Sequence, residues 1–350
     1  MRIGITGGNG FIGGYVAEEA VGRGHDVVVL DRQGELSKSN RELWRATESV
    51  DVIMGDVVDD VAMTEFAAHV DGVIHLAAAL GTQETIQNPR PALVINAIGG
   101  VNFLAAVRQY DLPGVYIGVG NHWMENSYSI SKTVVERFTR MYNAEHDTRV
   151  NIVRVVNAYG PRQSVAPPFG PAKVRKITPA FVCRALTGQD IEVYGDGLQV
   201  SDMVSVADVA YALVEALERA EAGQVFDRAV EVGPPPEQSM TVNQVAVEVI
   251  KAVAELGYDP VNVRYLPMRP GEQPGARVTA DTSTLSLVGM DPAALVPYSV
   301  GIRETVRWFA DNWLPGWERA RRDATSRRER LAAHVCTSDC NPGNCERQDV

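Results

Sequence analysis

Cysteine is scarce in this chain. There are four in 350 residues: Cys183 lies in a helical pattern, and Cys336, Cys340 and Cys345 crowd the last fifteen. Such a distribution supplies no disulfide framework. Positive charge is also short, with 33 lysines and arginines against 44 acidic residues and a formal charge of −11. That balance argues against nucleic acid as a partner. Long apolar runs are missing too. The longest uncharged stretch of note, Pro91 to Val107, holds Asn96, Asn102 and paired glycines, so the expectation is a buried or interface helix rather than a membrane span. The N-terminus, MRIGITGG, lacks a basic segment followed by an apolar core. It enters a strand directly, and a cytoplasmic location is expected.

What the sequence does contain begins with a glycine turn. Residues 2–5 read as a strand, followed by Thr6-Gly7-Gly8-Asn9-Gly10-Phe11-Ile12-Gly13 and an amphipathic helix to about Arg23. A second strand, Val27 to Leu30, closes on Asp31. Gly7 and Gly10 let a backbone approach a pyrophosphate, and Gly13 lets the helix pack against the strand. The helix N-terminus then faces the phosphates. Asp31 can accept hydrogen bonds from ribose hydroxyls and repels a 2′-phosphate, which favours NAD over NADP. Arg32 pulls the other way, because a guanidinium can bind that phosphate.

The alternation continues. Val52-Ile53-Met54 is a third strand ending in Gly55-Asp56-Val57, and Gly72 to Leu76 a fourth ending in Ala77-Ala78-Ala79. A helix from about Pro89 to Tyr110 holds Asn96-Ala97-Ile98-Gly99. Strands and helices in this order predict a parallel sheet covered on both faces, with ligands at the carboxyl ends of the strands. The fold class expected is α/β, a Rossmann-type doubly wound sheet with a smaller C-terminal domain.

The stretch VYIGVGNHWMENSYSISK, Val115 to Lys132, carries the chemistry. It starts as a buried strand and ends on a helix where Tyr128 and Lys132, four apart, share a face. A phenol is a poor base near neutral pH. A lysine cation beside it favours the phenolate, so the pair is expected to move a proton to or from an alcohol.

Together the glycine turn, Asp31, Asp56-Val57, His75-Leu76-Ala77-Ala78, Asn96-x-x-Gly99 and Tyr128-x-x-x-Lys132 resemble the extended short-chain dehydrogenase/reductase family. The resemblance is narrower still to its NAD-dependent nucleotide-sugar epimerases and dehydratases. Arg154 to Arg162, Tyr194-Gly195-Asp196-Gly197, Asp202-Met203-Val204, Val206 to Ala210 and Arg269-Pro270-Gly271-Glu272 extend it to about residue 312. It implies NAD held by residues 1–160, with 207–234 and about 300–312 returning to that domain. Residues 161–206 and 235–300 would close over a nucleotide diphospho-sugar, and 313–350 would form a terminal helix and tail. The hairpin of the sugar domain would span Tyr194 to Val204. The implied cofactor contacts are Gly7, Gly10, Phe11, Ile12, Gly13, Asp31, Arg32, Asp56, Val57, Leu76, Ala77, Ala78, Asn96, Tyr128 and Lys132. Thr82, Asn157, Lys173 and Arg269 would meet the substrate. Tyr128 would deprotonate a sugar hydroxyl as NAD takes the adjacent hydride, with Lys132 on the nicotinamide ribose. A homodimer built on the 91–107 face and the Tyr128 helix is implied as well.

The chain departs from that family in two places. The strand before the catalytic helix normally ends in Ser or Thr, and here it reads Ile117-Gly118-Val119-Gly120-Asn121. Asn121, His122 and Ser127 are candidates to replace the hydroxyl, Asn121 being the one assigned to catalysis; otherwise the substrate meets Tyr128 directly. The Asp-Glu pair of the dehydratases is absent; Glu125 is the one acid nearby, and it is read as a solvated loop glutamate ahead of a lone replacement acid. Ser201, not arginine, precedes Asp202, and Lys173, Arg175 and Lys176 are the compensating charges nearby. An epimerase is therefore expected, with an atypical dehydratase and a catalytically silent NAD-bound sensor or scaffold as the rival readings. Gly301 to Trp313 reads as an amphipathic helix, and arginines at 319, 321, 322, 327, 328 and 330 follow it. His334, Cys336, Cys340 and Cys345 match no common zinc spacing, so no metal is expected.

Overall fold

The computed structural model describes residues 1–33 and 50–324; Arg327, Arg328, Arg330 and the His334/Cys336/Cys340/Cys345 tail lie outside them. Seven parallel strands form the main sheet: β1 (Arg2–Thr6), β2 (Asp26–Asp31), β3 (Val50–Met54), β4 (Gly72–His75), β5 (Pro113–Val119), β6 (Arg149–Val155) and, after four short strands, β11 (Val230–Val232). Their order is β3-β2-β1-β4-β5-β6-β11. The order reverses between β1 and β4, and the crevice at that switch point is where such sheets take their ligands.

Helices cover both faces, as the alternation predicts. On one side α1 (Phe11–Gly22) and α7 (Val206–Glu221) pack over Ile3, Ile5, Val27, Val29, Val115 and Val153. On the other, α2 (Asp60–Ala67), α4 (Pro89–Gln109) and α5 (Ser127–His146) cover Val28, Leu30, Val73, Tyr116 and Ile152. A short helix, α3 (Thr82–Gln87), precedes α4. Helix starts follow local capping: Asp59 accepts from the Val61 and Ala62 N–H groups, and Asn126 from Ser129. Each satisfies amides that the first turn leaves unpaired. At 21 residues and mean hydropathy 1.4, α4 is long and apolar enough to cross a membrane, but half of it is buried inside this fold. Asn96 and Asn102 are spent on internal hydrogen bonds.

A second core lies beside the sheet. It gathers Phe181, Val182 and Cys183 of α6 (Ile177–Leu186), Val245, Val249 and Val253 of α8 (Val242–Ala254), and Ile302, Val306 and Phe309. The last three show that 300–312 serves this core and does not return to the sheet. Conversely Leu285, Val288 and Leu295 pack into the sheet's core. The apolar stripe of the helix α9 (Tyr298–Trp308) is legible in sequence, but the core it covers is set by chain path. Its end runs on as a π-helical turn over Phe309–Trp313.

The expected hairpin is absent among the described residues. β8 (Ile191–Tyr194) pairs in parallel with β12 (Val263–Leu266), β9 (Val200–Ser201) with β13 (Arg277–Val278), and β10 (Met203–Ser205) with β7 (Asn157–Tyr159). The glycine turn at 195–197 is real, with both glycines at positive φ, but the strands it joins take partners from distant segments.

Asp202, at the β9–β10 junction, is 1% exposed and neither carboxylate oxygen is hydrogen-bonded. Burial pushes its acid up to about 6, opposed in part by Ser239, the Met240 amide and Arg277 nearby. Because the folded value lies above the unfolded one, the stability this group contributes is present below about pH 4 and lost as pH rises through 6. Asp202→Asn should therefore stabilise the protein at pH 7.5 by about 1–3 kcal/mol. The gain should vanish near pH 4, as read by denaturant unfolding at both values. A variant less stable at pH 7.5 would show that the carboxylate is needed charged.

Candidate active site

The glycine turn forms one wall of a cavity of about 960 Å3 that runs from the sheet's switch point to the second core. Gly7 sits at φ +71 and lies so close to the end of β4 that a Cβ there would be 2.8 Å from Ala77 Cα. Gly13 packs on the turn itself, not on the strand: its Cβ would fall 2.5 Å from Gly8 Cα. The residue pressed on a strand is Gly8, against Val29. Helix α1 follows Gly10, its N-cap, which offers no side-chain cap, and Gly10, Phe11, Ile12 and Gly13 all line the cavity. Open amides at the positive end of a helix suit a pyrophosphate.

Around this wall the other candidates divide. Leu76 and Ala78 line the cavity; Ala77 backs Gly7. Thr6 Oγ1 accepts the Leu76 and Ala77 amides at 3.2 and 3.3 Å and lies 2.9 Å from His75 Nδ1. With both amides accepted, its own proton goes to Nδ1. His75 is fully buried, and burial with the nearby Lys132 charge drives it down to about 3, so it stays neutral. Asp31 accepts from the Asn9 and Gln33 amides at 3.2 and 3.1 Å, and Gln33 lines the cavity while Arg32 is exposed. Asp56 accepts from the Val58 amide, and Val57 packs under Gly99.

Asn96 does not reach the cavity. Its Oδ1 accepts from the Ala79 amide at 2.7 Å, and its Nδ2 donates to Ala79 O and Ser131 Oγ at 3.1 and 2.9 Å. It ties the end of β4 to α5, from a π-helical stretch, Leu93–Ile98, inside α4. Such bulges re-aim a side chain within a helix.

Tyr128 and Lys132 both line the cavity, next to Ile117, Gly118, Val119 and Asn121. Lys132 is buried, with Nζ 4.3 Å from the Tyr116 ring centre. The expectation that lysine lowers the phenol is corrected here. Burial dominates, pushing Tyr128 up to about 12 and Lys132 down to about 7, with Glu136 opposing the fall of the lysine. Both groups are moved toward neutrality because each leaves water. Val119 occupies the cavity wall where a hydroxyl was sought. Of its candidate replacements only Asn121 lines the cavity, its amide 3.5 Å from Met124 Sδ. His122 turns away to Arg154, 3.2 Å distant, and Glu125 is exposed outside the cavity.

The far wall is charged. Thr82, Asn157 and Arg269 line it as expected, whereas Lys173 is exposed and outside; Arg175 and Lys176 take the inward positions. Glu192 is clamped by Arg175 and Arg184 at 3.2 and 2.5 Å and by Arg264, and Glu272 pairs with Arg269. The Lys176 ammonium makes no hydrogen bond or ion pair within 4.0 Å among the described residues; burial and Arg269 lower it and Glu84 opposes. Glu84, on α3, is a charged cavity residue that the reading of the sequence did not single out, and Lys176, named there only as a nearby charge, takes the place given to Lys173.

This geometry has counterparts in known proteins. The profile of the NAD dependent epimerase/dehydratase family matches residues 3–233. The chain belongs to that family. It is an extended short-chain dehydrogenase/reductase, and its cofactor is NAD. A UDP-N-acetyl-alpha-D-glucosaminuronate decarboxylase of Bacillus cytotoxicus is 28% identical, over 88% of this chain and 97% of that one. A dTDP-glucose 4,6-dehydratase of Mycobacterium tuberculosis is 26% identical, over 94% and 98%. The crystal structure of the Thermus thermophilus UDP-glucose 4-epimerase in complex with NAD superimposes with a TM-score of 0.73 at 28% identity, covering 88% of this chain and 99% of that one. Decarboxylases were not among the activities expected from sequence. The glycine cradle fits the cofactor: a Cβ at Gly7 or Gly13 would fill the space its backbone approach requires.

Proposed function

We propose that the chain is a nucleotide-sugar epimerase working through a transient keto-sugar. The observation that supports this reading is the placement of Tyr128 and Lys132 at the glycine-turn end of one cavity, with no acid supplied by the loop before them. Bound NAD supplies a hydride acceptor that gives the hydride back. As the phenolate, Tyr128 takes the proton of a sugar hydroxyl and holds it until it is returned after the carbonyl has turned its other face. Lys132 holds the ribose side of the cofactor and stabilises the phenolate while it exists. Val119 leaves no hydroxyl between them, so the substrate hydroxyl meets Tyr128 directly. Arg175, Lys176 and Arg269 face the diphosphate, where Ser201, bonded at 2.9 Å by Asn157 Nδ2, offers no charge. Related structures were solved with UDP-glucose or other nucleotide sugars bound.

The test is a panel of UDP-, GDP- and dTDP-sugars, neutral and uronic, followed by chromatography. An epimer is expected. Loss of water would favour the dehydratase reading, and loss of carbon dioxide from a uronate the decarboxylase reading. No conversion, with ligands still bound, would leave a silent sensor.

Two further expectations belong to this reading. Calorimetry should show NADP binding at least about tenfold more weakly than NAD, because Asp31 lies at the ribose end of the turn. Tighter NADP binding would give the preference to Arg32. In assembly, Leu93 and Ile98 on α4 and Ile130, Phe138 and Met141 on α5 are exposed apolar residues, between 38% and 58% accessible. A second copy of the chain covering these helices across a two-fold axis would bury them. Light scattering should give twice the 38.0 kDa chain mass; a particle of one chain mass at micromolar concentration would exclude the dimer.

A further inference from the structure

Glu136 is fully buried one helical turn beyond Lys132 on α5. A carboxylate taken out of water must be partnered. Arg154 on β6 does this, with Nε donating to the two oxygens at 3.2 and 3.1 Å and Nη2 donating at 2.7 Å. Arg154 Nη1 donates to Glu231 at 3.0 Å and lies 3.2 Å from His122 Nε2. The intervening strand makes room for this network. At Gly118 on β5 a Cβ would sit 2.4 Å from Glu136 Oε1 and 2.9 Å from Arg154 Cγ. Gly118 precedes Val119 and lines the cavity.

The charges in the network do not balance by themselves. Two carboxylates face one guanidinium, and His122, accepting from Arg154, is neutral. One negative charge is left over, and the buried cation beside it is Lys132. The other groups around Lys132 supply no anion. Tyr116 of β5 presents its ring, His75 of β4 is neutral, and Tyr128 on the same helix is a phenol held protonated.

We propose that Glu136 is a positioning residue of the reaction: anchored by Arg154 over Gly118, it keeps the buried Lys132 cationic beside Tyr128. The inference rests on Tyr128 and Lys132 being the reacting pair. Burial drives the lysine down to about 7 even with Glu136 in place, and Glu136 is the group that opposes the fall. At physiological pH the site thus stands near the edge of losing its cation, and the carboxylate decides on which side.

The chain has five lysines, few enough to follow by NMR with carbon-13 at Cε, assigning Lys132 by its loss in Lys132→Met. In the full chain, free and with NAD bound, the Lys132 titration midpoint should fall by about one pH unit in Glu136→Gln. The alkaline limb of the turnover profile should fall with it while NAD affinity changes little; the unfolding temperature should drop, because Arg154 loses a buried partner. Glu136→Asp, which keeps the charge, should recover most of the shift. An unchanged midpoint in folded Glu136→Gln overturns the proposal. So does a midpoint that moves while the turnover profile stays, which would leave the carboxylate without a role in turnover but spare the epimerase reading. If Glu136→Gln does not fold, Gly118→Ala takes its place, crowding the carboxylate without removing it. A Lys132 midpoint unmoved there overturns the proposal equally.

Discussion

Tyr128→Phe should lower turnover at least about 10²-fold, the usual scale for a lost general acid/base. The fold should not notice. The Tyr128 hydroxyl bonds no group among the described residues, so its loss leaves no partner unsatisfied. NAD affinity should stay within about twofold, since the glycine turn and Lys132 are untouched. The size of the effect follows from what surrounds the phenol. Val119 and Met124 line the same wall without a hydroxyl, and the amide of Asn121 has no proton to accept or give at neutral pH. None of these three can take over the proton. Val119→Thr probes the converse: it introduces a relay hydroxyl at the end of β5, and activity should be equal or higher if Tyr128 already acts directly. A Tyr128→Phe enzyme that keeps more than about a tenth of its rate would show that another group carries the proton.

The parts of the fold legible in sequence were those built from neighbours in the chain. Strand, glycine turn, helix, strand and Asp31 form a local unit, and its hydrophobic period and turn residues are all within 31 residues. Tyr128 and Lys132 are a helical turn apart, so their common face follows from α-helix geometry alone. The pairing of β8, β9 and β10 was not legible. Their partners come from residues 157–159, 263–266 and 277–278, and no local rule selects among distant strands. The same holds for α9, whose apolar stripe fits either core.

Charge states and side-chain direction were hidden for a different reason. Tyr128 next to Lys132 reads as an acidified phenol when only the helix is considered. In the protein both groups lose water, and that cost moves the phenol up and the lysine down. Lys173 and Lys176 differ in sequence by three positions within a proline-rich stretch that has no period to read. Where α6 begins decides between them: Lys176 is its N-cap residue and faces inward, and Lys173 remains in solvent. Asn96 sits in a motif that resembles a cofactor contact, but the π-helical turn around it points its amide at Ala79 and Ser131.

Gly13→Ala should cost the protein its cofactor before it costs the fold. The added methyl would lie 2.5 Å from Gly8 Cα, 2.6 Å from Gly8 O and 2.7 Å from Gly7 O. All three are backbone atoms, so no side chain can swing aside. Nor can the turn retreat. Gly7 N–H donates to Leu30 O at 2.8 Å, Gly8 presses on Val29, and Gly7 lies against Ala77. What yields is the seating of α1 on the turn, and with it the open amides of Phe11, Ile12 and Gly13. Overpacking of this kind costs about 1–3 kcal/mol, and spent on the pyrophosphate site it corresponds to NAD binding about ten- to hundredfold weaker. Gly22→Ala on the same helix is the control. Its methyl would meet nothing within 4 Å, and alanine is the better helix former, so NAD affinity should be unchanged and the unfolding temperature equal or higher. Calorimetry and thermal unfolding on the two variants separate the outcomes. If Gly13→Ala binds NAD as the wild type does, the turn yields where the packing says it cannot, and the cofactor is not held by the contact between α1 and Gly7-Gly8.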